Sequence, residues 1–144
     1  MKKLFILFLA LFAVYTVAGA DNDKPIGVGE LPTKAQTFLT THFKDKKVAL
    51  AKVESNLLDK TYDVVFTDGE KLEFDKTGAW KEVYCKATGF PEAIVPAAIL
   101  QYVKTHYENQ RILFIEREQK ETEIRLSNGL EIKFDKKNRV IDID

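Results

Sequence analysis

LPTKAQTFLTTHF, residues 31–43, returns as VPAAILQYVKTHY at residues 95–107, and YDVVFTDGEKLEFDKTGAW, residues 62–80, returns as TEIRLSNGLEIKFDKKNRV at residues 122–140. Pro32 and Pro96, Phe38 and Tyr102, His42 and His106, and Phe43 and Tyr107 are each 64 positions apart. Gly69 and Gly129, Phe74 and Phe134, and Asp75 and Asp135 are 60 apart, so the first copy carries four extra residues between its two blocks. They fall near residues 55–61, which read as a loop.

Within each copy the apolar spacing changes period. Ala35, Phe38, Leu39, His42 and Phe43 recur at i, i+3, i+4, i+7 and i+8, one face of a helix, and Pro32 suits its first turn. Ile99, Tyr102, Val103, His106 and Tyr107 give a second such helix. Both are about three turns long, too short to stand alone, and must lie on something. Tyr62, Val64 and Phe66 then alternate with their neighbours up to Asp68-Gly69, and Leu72 and Phe74 resume beyond it, which predicts a β-hairpin. Asn128-Gly129 takes the same place between Ile124, Leu126, Ile132 and Phe134. A second turn is predicted at Asp75–Gly78 and residues 135–138, with a last strand after each, at residues 80–85 and 140–143. Adding strands near residues 48–54 and 112–118, each copy reads helix followed by four strands.

The 144 residues, 45% hydrophobic and 31% charged, suit one globular domain with a real core. Residues 1–20 read as a signal peptide: Lys2 and Lys3, an apolar run to about Val17, then Ala18-Gly19-Ala20, with cleavage expected after Ala20. The run is shorter than the ~20 residues of a spanning helix, so the mature chain is expected to be periplasmic or secreted, with no membrane attachment after cleavage. Removing Lys2 and Lys3 from the 22 basic residues leaves 20 against 22 acidic ones. That balance argues against nucleic acid as a partner, because such binding needs a basic stripe to displace phosphate counterions. Residues 21–30, DNDKPIGVGE, show no apolar period and are expected to be a flexible lead-in. Cys85 is the only cysteine; no internal disulfide is possible, and a buried thiol is the expectation.

The ordered string LPxxAQxFLxxHF, YDVVFTDGEKLEFDKTGAWKEVYCK, FPEAIVPAAILQYVKTHY and IRLSNGLEIKFDKKNRV resembles the PepSY-like, β-lactamase-inhibitor-like family of exported bacterial proteins. The resemblance covers nearly all of the mature chain. It implies an α+β fold of two tandem helix-plus-antiparallel-sheet repeats, residues 31–86 and 95–144, joined by a linker at residues 87–94. They would form one extended sheet with the helices on one face, similar in shape to a β-lactamase inhibitor protein. Two departures stand out: Tyr84 replaces an expected acidic residue, and the second repeat lacks the aromatic that the first has at Trp80.

Catalytic patterns are wanting. Ser55 and Ser127 lie in no nucleophile elbow, and Gly27-Val28-Gly29 is two glycines in a polar stretch where no preceding strand is expected. His42 and His106 end their helices, where imidazole meets free carbonyls, and no HxxxH completes a ligand set. Asp63, Asp68, Glu70, Glu73, Asp75, Glu131 and Asp135 lack EF-hand spacing and alternate with lysines, as a solvated face does. No enzyme activity, cofactor or metal is therefore expected.

The open side of the sheet is the candidate interaction surface. Period two on the last strands puts Val83, Ile141 and Ile143 on one side and Trp80, Glu82, Tyr84, Val140 and Asp142 on the other. If the first set meets the helices, Trp80, Glu82, Tyr84 and Val140 make a binding face with aromatic anchors. Packing of Trp80 against the other repeat or the linker is the competing placement. The expected function is an exported, non-enzymatic module that contacts another exported or envelope protein, with inhibition as one form of that contact. A small-ligand cleft between the repeats, lined by Phe90, Tyr102 or Tyr107, is the alternative.

Overall fold

The computed structural model describes residues 22–86 and 90–144. The expected signal peptide and part of the expected linker lie outside these residues. Nine strands form one antiparallel sheet in sequence order: β1 Asp23–Ile26, β2 Val48–Ser55, β3 Lys60–Phe66, β4 Lys71–Phe74, β5 Trp80–Tyr84, β6 Ile112–Arg117, β7 Glu121–Leu126, β8 Glu131–Asp135 and β9 Val140–Ile143. Helix α1, Thr33–His42, precedes β2, and α2, Ala97–His106, precedes β6. The fold is α+β, as the sequence predicts; α1 is followed by β2 to β5 and α2 by β6 to β9. The ninth strand is a correction: residues 23–26, expected within a flexible lead-in, pair with β2 from Asp23↔Glu54 to Ile26↔Ala51. Lys52 ties this edge down through Asp23, 2.5 Å from its ammonium.

The core follows from one line of pairings. Val64↔Leu72, Leu72↔Val83, Val83↔Ile115, Ile115↔Ile124 and Ile124↔Ile132 run across six strands, and all six residues are fully buried. Both helices cover this face. Phe38 of α1 meets Phe74 edge-on at 5.6 Å, and its counterpart Tyr102 of α2 meets Phe134 edge-on at 5.7 Å. Ala35, Leu39, Ile99 and Val103 seal beneath them. Pro32 and Pro96 stand at the N-cap positions, immediately before each helix begins. A proline there supplies no side-chain cap, and Gln36 instead donates to the carbonyls of Leu31 and Gly29.

The hairpin turns use three residues rather than two. Gly69 N–H donates to the Phe66 carbonyl, Phe66 N–H donates to the Glu70 carbonyl, and only Gly69 takes a positive φ, at 88°. This is a type I turn closed by a left-handed glycine. Gly78 sits in the matching turn between β4 and β5 and does more. Its φ is 86°, and a Cβ there would lie 2.8 Å from Pro32 Cβ and 2.9 Å from the Ala35 nitrogen. The missing side chain is what lets the turn seat the first turn of α1. Gly69, at φ 88°, has open space around it. Gly69→Ala should thus cost only the left-handed strain, about 1 kcal/mol. Gly78→Ala should cost at least about twice that, because the helix must also shift; urea unfolding midpoints of the two variants measure the difference.

Candidate functional site

The pairing that buries the apolar row fixes a second row, one residue along, on the opposite face. It runs Lys52↔Asp63, Asp63↔Glu73, Glu73↔Glu82, Glu82↔Glu116, Glu116↔Glu123, Glu123↔Lys133 and Lys133↔Asp142. Five carboxylates therefore stand side by side on five adjacent strands, although like charges directly opposed destabilise a sheet. The flanks are neutralised. Lys52 lies 3.4 Å and Lys71 4.0 Å from Asp63, Lys81 lies 3.3 Å from Glu73, and Lys133 lies 3.5 Å from Glu123.

The centre is not neutralised. Glu82 is 8% exposed, and among the described residues the side chain of neither Glu82 nor Glu116 makes a hydrogen bond or an ion pair. Burial, then the nearby Glu73 and Glu116, pushes the Glu82 carboxyl up to about 8. Burial, followed by Glu118 and Glu123, pushes Glu116 up to about 7. Burial also raises Glu73 and Glu123, against the pull of their lysines. Beside this pair, Tyr84 is opposed to Phe114 on the same face. Phe114 is buried yet stands outside the core cluster, with the Arg125 guanidinium carbon 5.4 Å from its ring centre.

Of the four residues predicted for the binding face, the structure brings Glu82 and Tyr84 together and sends Trp80 and Val140 to the helix side. A bulge decides this. Glu73 pairs with Glu82, but the next position, Phe74, pairs with Trp80, so Lys81 is the extra residue. Trp80 then faces α1, 6.4 Å from Phe38, and Arg117 of β6 stacks 3.9 Å above its ring while donating to its carbonyl. The β8–β9 pairing has the same irregularity, and Val140 sits opposite Phe134. Glu116 and Glu123 were missed by the sequence reading. Their only signal was period-two alternation within predicted strands, which does not say which strand lies alongside.

His42 and His106 close separate helices; His106 Nδ1 lies 3.0 Å from the Tyr102 carbonyl. Cys85 is buried, and burial, helped by Glu70, pushes its thiol up. No group of three His, Cys, Asp or Glu among the described residues is arranged to hold a metal ion. Away from the sheet face, a groove of about 480 Å³ lies between α2 and the chain leading into it. Phe90, Leu100, Val103 and Tyr107 line it along with charged side chains, and Tyr102 does not.

A family model described as "Putative beta-lactamase-inhibitor-like, PepSY-like" matches residues 60–142. The chain belongs to this PepSY-like family. Solved structures agree. A protein of Bacteroides vulgatus, described as a putative periplasmic protein of the DUF2874 family, is 58% identical, with a TM-score of 0.84 over 88% of this chain and 99% of that one. A protein of Bacteroides thetaiotaomicron, described as a putative calcium-regulated periplasmic protein, is 56% identical with the same TM-score and coverage. A second Bacteroides vulgatus protein, described as a putative periplasmic protein of unknown function, is 36% identical, with a TM-score of 0.80 over 85% of this chain and 98% of that one. No curated protein matches. No helix among the described residues of this PepSY-like chain is long and apolar enough to cross a membrane.

The acid row makes a prediction about stability. A carboxyl raised by folding favours the folded state while it is protonated, and that contribution is lost as pH rises from the ordinary carboxylate range through about 8, the value for Glu82. The depressed groups, Asp68, Asp75 and Asp135, act below this window, and the raised lysines act above it. The melting temperature should therefore fall between about pH 5 and about pH 9. Glu82→Gln should flatten the fall and raise the melting temperature at the alkaline end by roughly 4–8 °C. Scanning calorimetry across that range decides it; an unchanged slope in the variant would remove Glu82 as its cause.

Proposed function

We propose that this chain is an exported, non-enzymatic binding module of two tandem helix-plus-sheet units, and that its open sheet face contacts another exported or envelope protein. The observation that carries the reading is Glu82, nine-tenths buried and without a counterion, on the face that neither helix covers. A fold that opposes like charges in its centre loses stability there, and sites of that kind are where binding recovers what folding gave up. Glu82, Tyr84, Glu116 and Phe114 form the centre of the contact, in place of the aromatic pair Trp80 and Tyr84. The family description supports inhibition as one form of this contact, and the periplasmic relatives support export.

A groove lined by Phe90 and Tyr107 supports a second reading, a small-ligand site beside α2. Its walls are partly apolar, with Leu100 and Val103 at the base.

Photocrosslinking in the living cell tests the first reading. Tyr84→p-benzoylphenylalanine should join the chain to one envelope protein, while the same replacement at Thr37, exposed on α1, should give none. A crosslink formed equally well from Thr37, or none from position 84 while Tyr107 yields one, would move the site off the sheet face.

A further inference from the structure

We propose that the Glu82–Glu116 pair is the seat for one arginine side chain of the partner, its guanidinium bridging the two carboxylates across the β5–β6 junction. The inference rests on the sheet-face reading above and names the chemistry that face recognises. Glu82 and Glu116 are opposed in register, so their Cβ atoms stand about 4.5–5.5 Å apart, a span that a planar two-pronged donor bridges. Every lysine flanking the row already lies against an outer carboxylate: Lys52 and Lys71 near Asp63, Lys81 with Glu73, Lys133 with Glu123. Among the described residues no cation pairs with Glu82 or Glu116, and Glu82 is nine-tenths buried without one.

Three features select guanidinium over other cations. A divalent ion such as calcium needs six to eight oxygens, and no three acidic groups among the described residues converge on a point. An ammonium is a compact, strongly hydrated charge and gives up more water in a half-buried seat; guanidinium is planar, weakly hydrated and always charged. In the next pair along the same face, Tyr84 and Phe114, the half-exposed Tyr84 adds an aromatic wall. The protein already rests one guanidinium, that of Arg125, beside Phe114, which shows that the surface accommodates the stacking. Burial and the neighbouring carboxylates hold the two acids protonated for part of the neutral range, so seating an arginine should release protons.

The probe is the pentapeptide Gly-Gly-Arg-Gly-Gly, titrated into purified protein and followed by the side-chain carboxyl resonances of Glu82 and Glu116. Both should move together, with proton release, and Gly-Gly-Lys-Gly-Gly should bind more weakly. Glu82→Gln and Glu116→Gln, which the pH argument expects to fold at least as well as the parent, should each weaken the arginine peptide about tenfold. Movement confined to other carboxyls, unchanged affinity in both variants, or equal movement with calcium chloride at matched ionic strength would each overturn the proposal. Repeating the position-84 crosslink in the double Gln variant separates the two levels. A crosslink that survives leaves the sheet face as the interface and removes the arginine seat; one that is lost only in this variant, with the melting temperature preserved, supports both.

Discussion

The β5–β6 pairing is the constraint on which the rest of the molecule depends. It is short, with register positions Glu82↔Glu116, Val83↔Ile115 and Tyr84↔Phe114, and among the described residues it is the only ladder that joins the first four-strand run to the second. Its partners are separated by the chain that contains α2, so no tight turn sets the register. Apolar burial must set it. A slip of one residue would carry Val83 and Ile115 out of the core and put Glu82 against Phe38 and Phe74, which the alternation of the strands makes prohibitively costly. The same burial makes the acid opposition unavoidable once Glu82 and Glu116 are the residues next in line. The core dictates that these two positions face each other, and it says nothing about why both are glutamate. A Glu-Lys pair would satisfy the fold better.

Bulges act on the same ladder system. At Lys81 the extra residue turns Trp80 from the open side to the helix side, where it closes the end of the core between Phe38 and Arg117. Arg117 comes from β6, so this clamp also crosses the junction and backs the short β5–β6 ladder. The equivalent place in β9 has Val140, with Ile141 and Ile143 left substantially exposed. The two ends of the sheet therefore differ: β1 closes the first with a Lys52–Asp23 pair, whereas β9 is a bare edge that ends in the acidic Asp142 and Asp144. Charge at such an edge discourages pairing with a further strand.

The helices, hairpins and alternation were legible in the sequence because each is a local signal repeated twice: Ala35/Phe38/Leu39, Tyr62/Val64/Phe66 and the Gly69 and Gly129 turns. Three things were not. Residues 23–26 carry a proline and no apolar alternation, so the strand comes from the bare edge of β2 and the pairing of Asp23 with Lys52 rather than from propensity. Of the two placements open for Trp80, packing against the other repeat holds, through Arg117, and the outward one fails because a bulge inverts period two without leaving a mark that a single sequence shows. The carboxylate row was hidden because it is a property of register. Asp63 and Glu73 were visible as charged strand residues, but their alignment with Glu82, Glu116 and Glu123 exists only when five strands lie side by side.

That hidden alignment also explains why the composition looks so bland. The near-equal numbers of acidic and basic residues suggest a surface of mixed, solvated pairs, and most of the open face is that: Arg125 with Glu131, Lys133 with Glu123 and Lys81 with Glu73 neutralise one another across neighbouring strands. Pairs of this kind contribute little individually and impose no specificity. At the centre of the sheet remains the Glu82–Glu116 pair, which no cation among the described residues neutralises, held by the ladder that forms the core behind it. A partner that meets this face encounters a nearly neutral, hydrated rim and a desolvated acidic centre beside the half-exposed ring of Tyr84. Such an arrangement draws its discrimination from one buried charge contact rather than from a broad electrostatic field.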